Sequence, residues 1–141
     1  MKLEITDEEY EVIVKWYDEW VKSCKLLATF AFSTIGIMVL AFSKFYMEVE
    51  FASDFIFWIK TSVSTLVAGG VLAFISGALA YVWLDMVHRI YKPSLKGKVL
   101  YTDGWMPFLK LGSTGWFVTV TSFVLILTGI VSLVRAVYML L

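Results

Sequence analysis

Charge disappears from this chain in three long runs. Between Lys25 and Lys44, between Lys60 and Asp85, and between Lys110 and Arg135, no ionisable side chain other than tyrosine occurs over 18, 24 and 24 residues. Leu, Val, Ile, Phe and Ala dominate each run, interrupted by Ser, Thr and Gly. A soluble core of this length alternates apolar and polar positions at a period of 3.6 or 2. These runs are apolar nearly all round. A helix rises about 1.5 Å per residue, so about 20 apolar residues cross the hydrocarbon of a bilayer. The pattern predicts an all-α integral membrane protein of one membrane domain. Its three transmembrane helices lie at 26–43, 61–84 and 115–134, separated by segments 44–60 and 85–114 and followed by a tail at 135–141.

The N-terminus carries a different pattern. Thr6-Asp7-Glu8-Glu9 matches the capping box, in which a Thr side chain and a Glu three residues later satisfy each other's free backbone donors. From there Tyr10, Ile13, Tyr17, Trp20 and Cys24 fall on one stripe at helical spacing. Residues 1–22 therefore read as an acidic amphipathic helix that precedes the first span and leads into it. In the segment 85–114, Asp85 and Arg89 form a helical pair that extends the second span. Pro93 is expected to end that extension, and Gly97 and Thr102-Asp103-Gly104 to form turns.

Lys and Arg set the orientation. Lys2, Lys15, Lys22 and Lys25 precede the first span, and Arg89, Lys92, Lys96, Lys98 and Lys110 follow the second, which puts nine basic residues on one side. Lys44, Lys60 and Arg135 are the three on the other. The positive-inside rule then makes the N-terminus and the 85–114 segment cytoplasmic and the C-terminus external. Aromatic residues crowd the span boundaries, among them Trp16, Tyr17, Trp20, Trp58, Tyr81, Trp83, Trp105 and Trp116, where amphipathic rings suit the headgroup layer.

The second span has a strip of small side chains. Thr61, Thr65, Gly69, Ala73 and Gly77 recur every four residues and are the candidate helix-packing interface. No hydrophobic force pushes helices together in lipid, so close backbone approach over small residues has to do it. Thr29, Ser33 and Thr34 in the first span, and Thr119, Thr121, Ser122, Thr128 and Ser132 in the third, offer hydroxyls for bonds within or between helices, and Gly36 and Gly129 add small positions beside them. A polar lining for an oligomeric pore is the alternative use of the same groups.

Composition narrows the chemistry. The chain is 60% hydrophobic and its net charge is zero, which gives no footprint for nucleic acid. Its mean hydropathy is +0.79. His88 is the one histidine and Cys24 the one cysteine, so an intrachain bis-histidine haem site, a two-histidine metal site and a disulfide framework are all excluded. No phosphate-binding loop is present, and the spans lack the buried acids and arginines of proton relays and ion sites. Two dozen mostly polar residues precede the first apolar run, so a cleaved signal peptide is not expected. The expectation is a protein with no catalytic, cofactor or metal site and no small-molecule substrate. Its partners are the bilayer and another membrane protein or a second copy of itself.

Three function classes follow. In size, and in three spans with the N-terminus inside, the chain resembles the anchor subunits of respiratory complexes, without their haem or quinone motifs; the resemblance implies a small subunit or assembly factor of a membrane complex. Small three-span immunity or exclusion proteins, which intercept a partner in the membrane, are also similar in topology. Holins resemble it in size and hydroxyl-rich spans, but they end in a basic tail where this chain ends Tyr138-Met139-Leu140-Leu141.

Charge suggests one contact. Residues 1–22 sum to −4 and residues 85–110 to +3, on the same expected side. The acidic helix, through Glu8 and Glu11, is expected to dock on Arg89, Lys92, Lys96 and Lys98 of its own chain or a neighbour's. Reversing the charge of Lys96 and Lys98 should lower the melting temperature of the detergent-solubilised protein or dissociate its assembly. Reversing Glu8 and Glu11 as well should restore both; no change in either variant would remove the contact.

Overall fold

A computed structural model describes residues 6–45, 53–91 and 105–141. Three helices account for them: α1, Asp7–Phe45; α2, Ser53–Tyr91; and α3, Trp105–Tyr138. All three are long and apolar enough to cross a membrane. The capping box expected from the sequence forms. Glu9 N–H donates to Thr6 Oγ1 at 3.3 Å, and Thr6 N–H donates to Glu9 Oε2 at 3.0 Å. Asp7, Glu8 and Glu9 fill the first turn, where the helix dipole favours negative charge. The N-terminal segment and the first expected span form one unbroken helix. In α3, Pro107 sits in the first turn, where no intrahelical N–H is required.

The helices overrun the expected spans. α1 and α2 have 39 residues each, about 58 Å at helical rise, against about 30 Å of hydrocarbon. Residues 53–60, 85–91 and 105–114, expected outside the spans, are helical too. Nothing in a charge-free run marks the end of a helix; it marks only the end of the apolar environment.

α2 is the central element. It packs along both α1 and α3, while α1 and α3 meet only sparsely. The α2–α3 contact is organised by serine and glycine. Ser62 Oγ donates to the Gly129 carbonyl at 2.7 Å, Ser122 Oγ to the Gly69 carbonyl at 2.7 Å, and Ser76 Oγ to the Gly115 carbonyl at 3.0 Å. Ser62, Gly69 and Ser76 are seven apart on α2; Gly115, Ser122 and Gly129 are seven apart on α3, running the opposite way. Each level of this ladder pairs one serine with one glycine, and the middle level reverses the donor. A helical carbonyl has a second lone pair free for such a bond. The glycines let the backbones close. A Cβ on Gly69 would lie 2.7 Å from Ile126 Cγ1 and 3.1 Å from the Ser122 carbonyl oxygen. A Cβ on Gly129 would lie 2.7 Å from Leu66 Cγ.

Two apolar clusters flank the ladder. Ala31, Met38, Leu66 and Ile126 are the buried centre of one, joined by Leu27, Ile35, Phe42, Ile59, Val63, Ile130 and Leu133. The other lies where the start of α1 meets the end of α2: Trp20, Cys24, Ala80, Trp83, Met86 and Val87, with Tyr10, Ile13 and Tyr17 against them. Outward faces of the spans carry large apolar side chains such as Leu40, Phe74 and Phe117, each more than two-thirds exposed. Such a belt suits the hydrocarbon of a bilayer.

Glycines separate cleanly by environment. A Cβ on Gly36 would meet nothing within 4 Å, whereas one on Gly129 would have Leu66 and Thr65 within 3 Å. Gly129→Ala should lower the detergent-unfolding stability by about 1–3 kcal/mol through overpacking. Gly36→Ala should leave it unchanged or raise it by up to about 1 kcal/mol through helix propensity. Equal effects on the unfolding midpoint would contradict the close α2–α3 approach.

Candidate functional site: the Trp20 node and the packed faces of α2

Trp20 is the point at which all three helices meet. Its indole is 1% exposed, although an aromatic at a span boundary is expected to lie in the headgroup layer. The N–H is shared between Ser76 Oγ of α2 at 2.9 Å and Thr119 Oγ1 of α3 at 3.0 Å. Those two hydroxyls lie 2.6 Å apart, and each also reaches the Gly115 carbonyl, Ser76 at 3.0 Å and Thr119 at 2.9 Å. One indole N–H and two O–H groups therefore share two hydroxyl oxygens and one carbonyl oxygen. Among the described residues, no buried side-chain nitrogen or oxygen lacks a partner. Buried polar groups left unsatisfied in lipid are costly, so a closed network is the stable arrangement.

Packing fixes the ring. A Cβ on Gly115 would overlap Cζ2 and Cη2 of Trp20. Trp116 stacks at a centroid distance of 6.0 Å, and Trp83 meets Trp20 edge to face at 5.9 Å. Trp83 repeats the device one level out, since a Cβ on Gly112 would sit 2.9 Å from its Nε1. Glycines of α3 thus make room for tryptophans of α1 and α2.

The predicted strip on α2 splits between two neighbours. Gly69 is buried against Ile126 and Ser122 of α3, and a Cβ on Gly129 of α3 would lie 2.9 Å from Thr65 Oγ1. Ala73 is fully buried. Gly77 faces α1, where a Cβ added to it would lie 3.7 Å from Cys24 Cβ. Thr61 is half-buried, and its carbonyl accepts the Thr65 hydroxyl at 2.9 Å. Both neighbours belong to this chain. The cause is geometric: a four-residue step overshoots one turn by about 40°, so five such positions sweep about 160° around the helix. A seven-residue step falls only about 20° short of two turns and keeps one face.

Ser62, Ser76 and Gly115 complete the serine–glycine ladder with Gly69, Ser122 and Gly129, and the strip of five contains none of the three. Their signal in the sequence is the seven-residue spacing of Ser and Gly on α2, repeated on α3. Of the expected charge contact, Glu8 and Glu11 are exposed on α1. The side chain of Arg89 and residues Lys92, Lys96 and Lys98 lie outside the described residues. At the other end of the bundle, Arg135 lies over the Trp58 ring, 4.4 Å from its centroid. His88 is half-buried, with its ring 5.6 Å from that of Tyr10. Among the described residues, no three His, Cys, Asp or Glu side chains converge as metal ligands.

Comparison with protein-family models, with curated proteins and with solved structures returns no match.

The α1–α2 contact offers a direct chemical check. Disulfides need Cβ atoms about 3.5–4.5 Å apart, and Cys24 meets that condition against position 77. Gly77→Cys should form an intrachain disulfide with Cys24 under mild oxidation, read as loss of both thiols by intact mass. Free thiols persisting under oxidant would contradict the α1–α2 register.

Proposed function

We propose that this chain is a non-catalytic, multi-pass protein of the cell membrane that acts by helix packing and protein–protein contact. Its role is that of a small subunit or assembly factor of a membrane complex, with the N-terminus cytoplasmic. One observation carries the reading. Beyond the apolar spans, the start of α1 packs on the end of α2 through Tyr10, Ile13, Tyr17, Met86 and Val87. Together they make a two-helix stalk. Its outer surface exposes Glu8, Glu9, Glu11, Asp18 and Glu19.

An acidic surface on a packed stalk suits a basic protein partner better than a membrane, because anionic headgroups repel it. The interior hydroxyls add support. Ser62, Ser76, Thr119 and Ser122 bond to backbone carbonyls inside the bundle, and Thr34, Thr65, Thr121 and Thr128 bond back along their own helices. Hydroxyls used this way favour a packing role over a water-filled lining.

Mild-detergent purification of the tagged protein from its host, with mass spectrometry, tests the proposal. A stoichiometric partner is expected, and it should be lost when Glu8, Glu11, Asp18 and Glu19 are reversed to Lys. Elution of the wild type alone as a monomer would favour an immunity or exclusion role, in which the partner arrives only on challenge. A homo-oligomer that conducts ions in liposomes would establish a pore instead.

A further inference from the structure

The two helix–helix contacts of α2 are built differently. Toward α3, three serine–glycine bonds draw backbone against backbone. Toward α1, the glycines of α2 receive side chains: Phe32 Cζ would lie 3.0 Å from a Cβ on Gly70, and Cys24 Cβ 3.7 Å from one on Gly77. Within the spans, the Ser62 hydroxyl reaches the Met38 sulfur of α1 only at a long 3.8 Å. Trp20 ties α1 to both other helices, through Ser76 of α2 and Thr119 of α3.

We propose that α1 is a strap that opens and closes on a preformed α2–α3 hairpin, and that the Trp20 indole is its latch. The hairpin keeps its shape when the latch opens, because its serine–glycine bonds do not involve α1. Ser76 and Thr119 also remain satisfied, since both hydroxyls already reach the Gly115 carbonyl. Releasing the latch therefore strands no hydroxyl of the hairpin, and the indole N–H finds new acceptors in the headgroup layer, where tryptophan is at home. Lifting α1 uncovers the face of α2 that holds Gly70 and Gly77, together with the buried Cys24 thiol on α1.

Cys24 is the chain's one cysteine and is 4% exposed, so it reports the strap without any added label site. The experiment measures the rate of N-ethylmaleimide alkylation of Cys24 in the full chain reconstituted in liposomes. Trp20→Phe removes the donor while keeping most of the ring. It should raise the rate by about three- to tenfold, the effect expected for losing one interhelical hydrogen-bonded contact in lipid. The paired variant Ser76→Ala with Thr119→Val leaves Trp20 in place and removes its acceptors; it should raise the rate in the same direction. Ser122→Ala weakens the hairpin ladder alone and should leave the rate at the wild-type value. Circular dichroism and a single elution peak establish that each variant is folded. An unchanged rate in both latch variants would overturn the proposal. So would an equal increase in Ser122→Ala, which would mean that the bundle opens as a whole.

Discussion

The bond from a serine hydroxyl to a glycine carbonyl of the neighbouring helix is the constraint on which this bundle depends. It works only when two backbones come close enough for a short side chain to cross between them. Glycine opposite serine supplies that closeness, and the heptad repeat places successive pairs on one face. Once Ser62, Gly69 and Ser76 meet Gly129, Ser122 and Gly115, the antiparallel register of α2 and α3 follows. Slipping by one residue would set Ser62 against Thr128 or Ile130 and Ser76 against Thr114 or Trp116, side chains that hold the backbones apart. In lipid, where apolar burial contributes little to helix association, such contacts carry a larger share of the specificity.

α1 follows a different principle. Its apolar part lies on α2 through side chains, and its charged start packs on the overrun of α2. Trp20 stands at the junction between those two regimes. It fills the gap over Gly115 with its ring and closes the polar node with its N–H. A smaller residue would leave a hole beside Gly115, and an apolar ring would leave the node without its third helix.

Much of the fold is legible in the charge pattern. Each charge-free run lies inside a helix, and Tyr10, Ile13, Tyr17, Trp20 and Cys24 pack as one stripe. The helix through Glu19, Lys22 and Asp85 is legible, but the starts of α2 and α3 are not, because charged residues such as Asp54, Lys60 and Lys110 continue a helix as readily as they end a span. Trp20 illustrates a second limit. An aromatic at a span boundary suits the headgroup layer by its amphipathic character alone, and only the glycine 95 residues away on α3 makes a buried slot for it. The packing strip is legible as small residues but not by direction. The eye follows a four-residue repeat, yet that row winds from α3 to α1, whereas the seven-residue row stays with one neighbour. The acceptors of the ladder are backbone carbonyls, which every residue has, so residue identity marks only the donors and the places without a side chain.

Spin-label distances across α2 and α3 in liposomes test the central claim most directly. Val67 and Val124 form one exposed pair flanking the ladder, and Phe74 and Phe117 another, one heptad along each helix. Nitroxides at each pair, measured by double electron–electron resonance, should give narrow distributions at matched distances. Broad distributions, or pairs that differ by about a helical turn of 5 Å or more, would contradict the serine–glycine register.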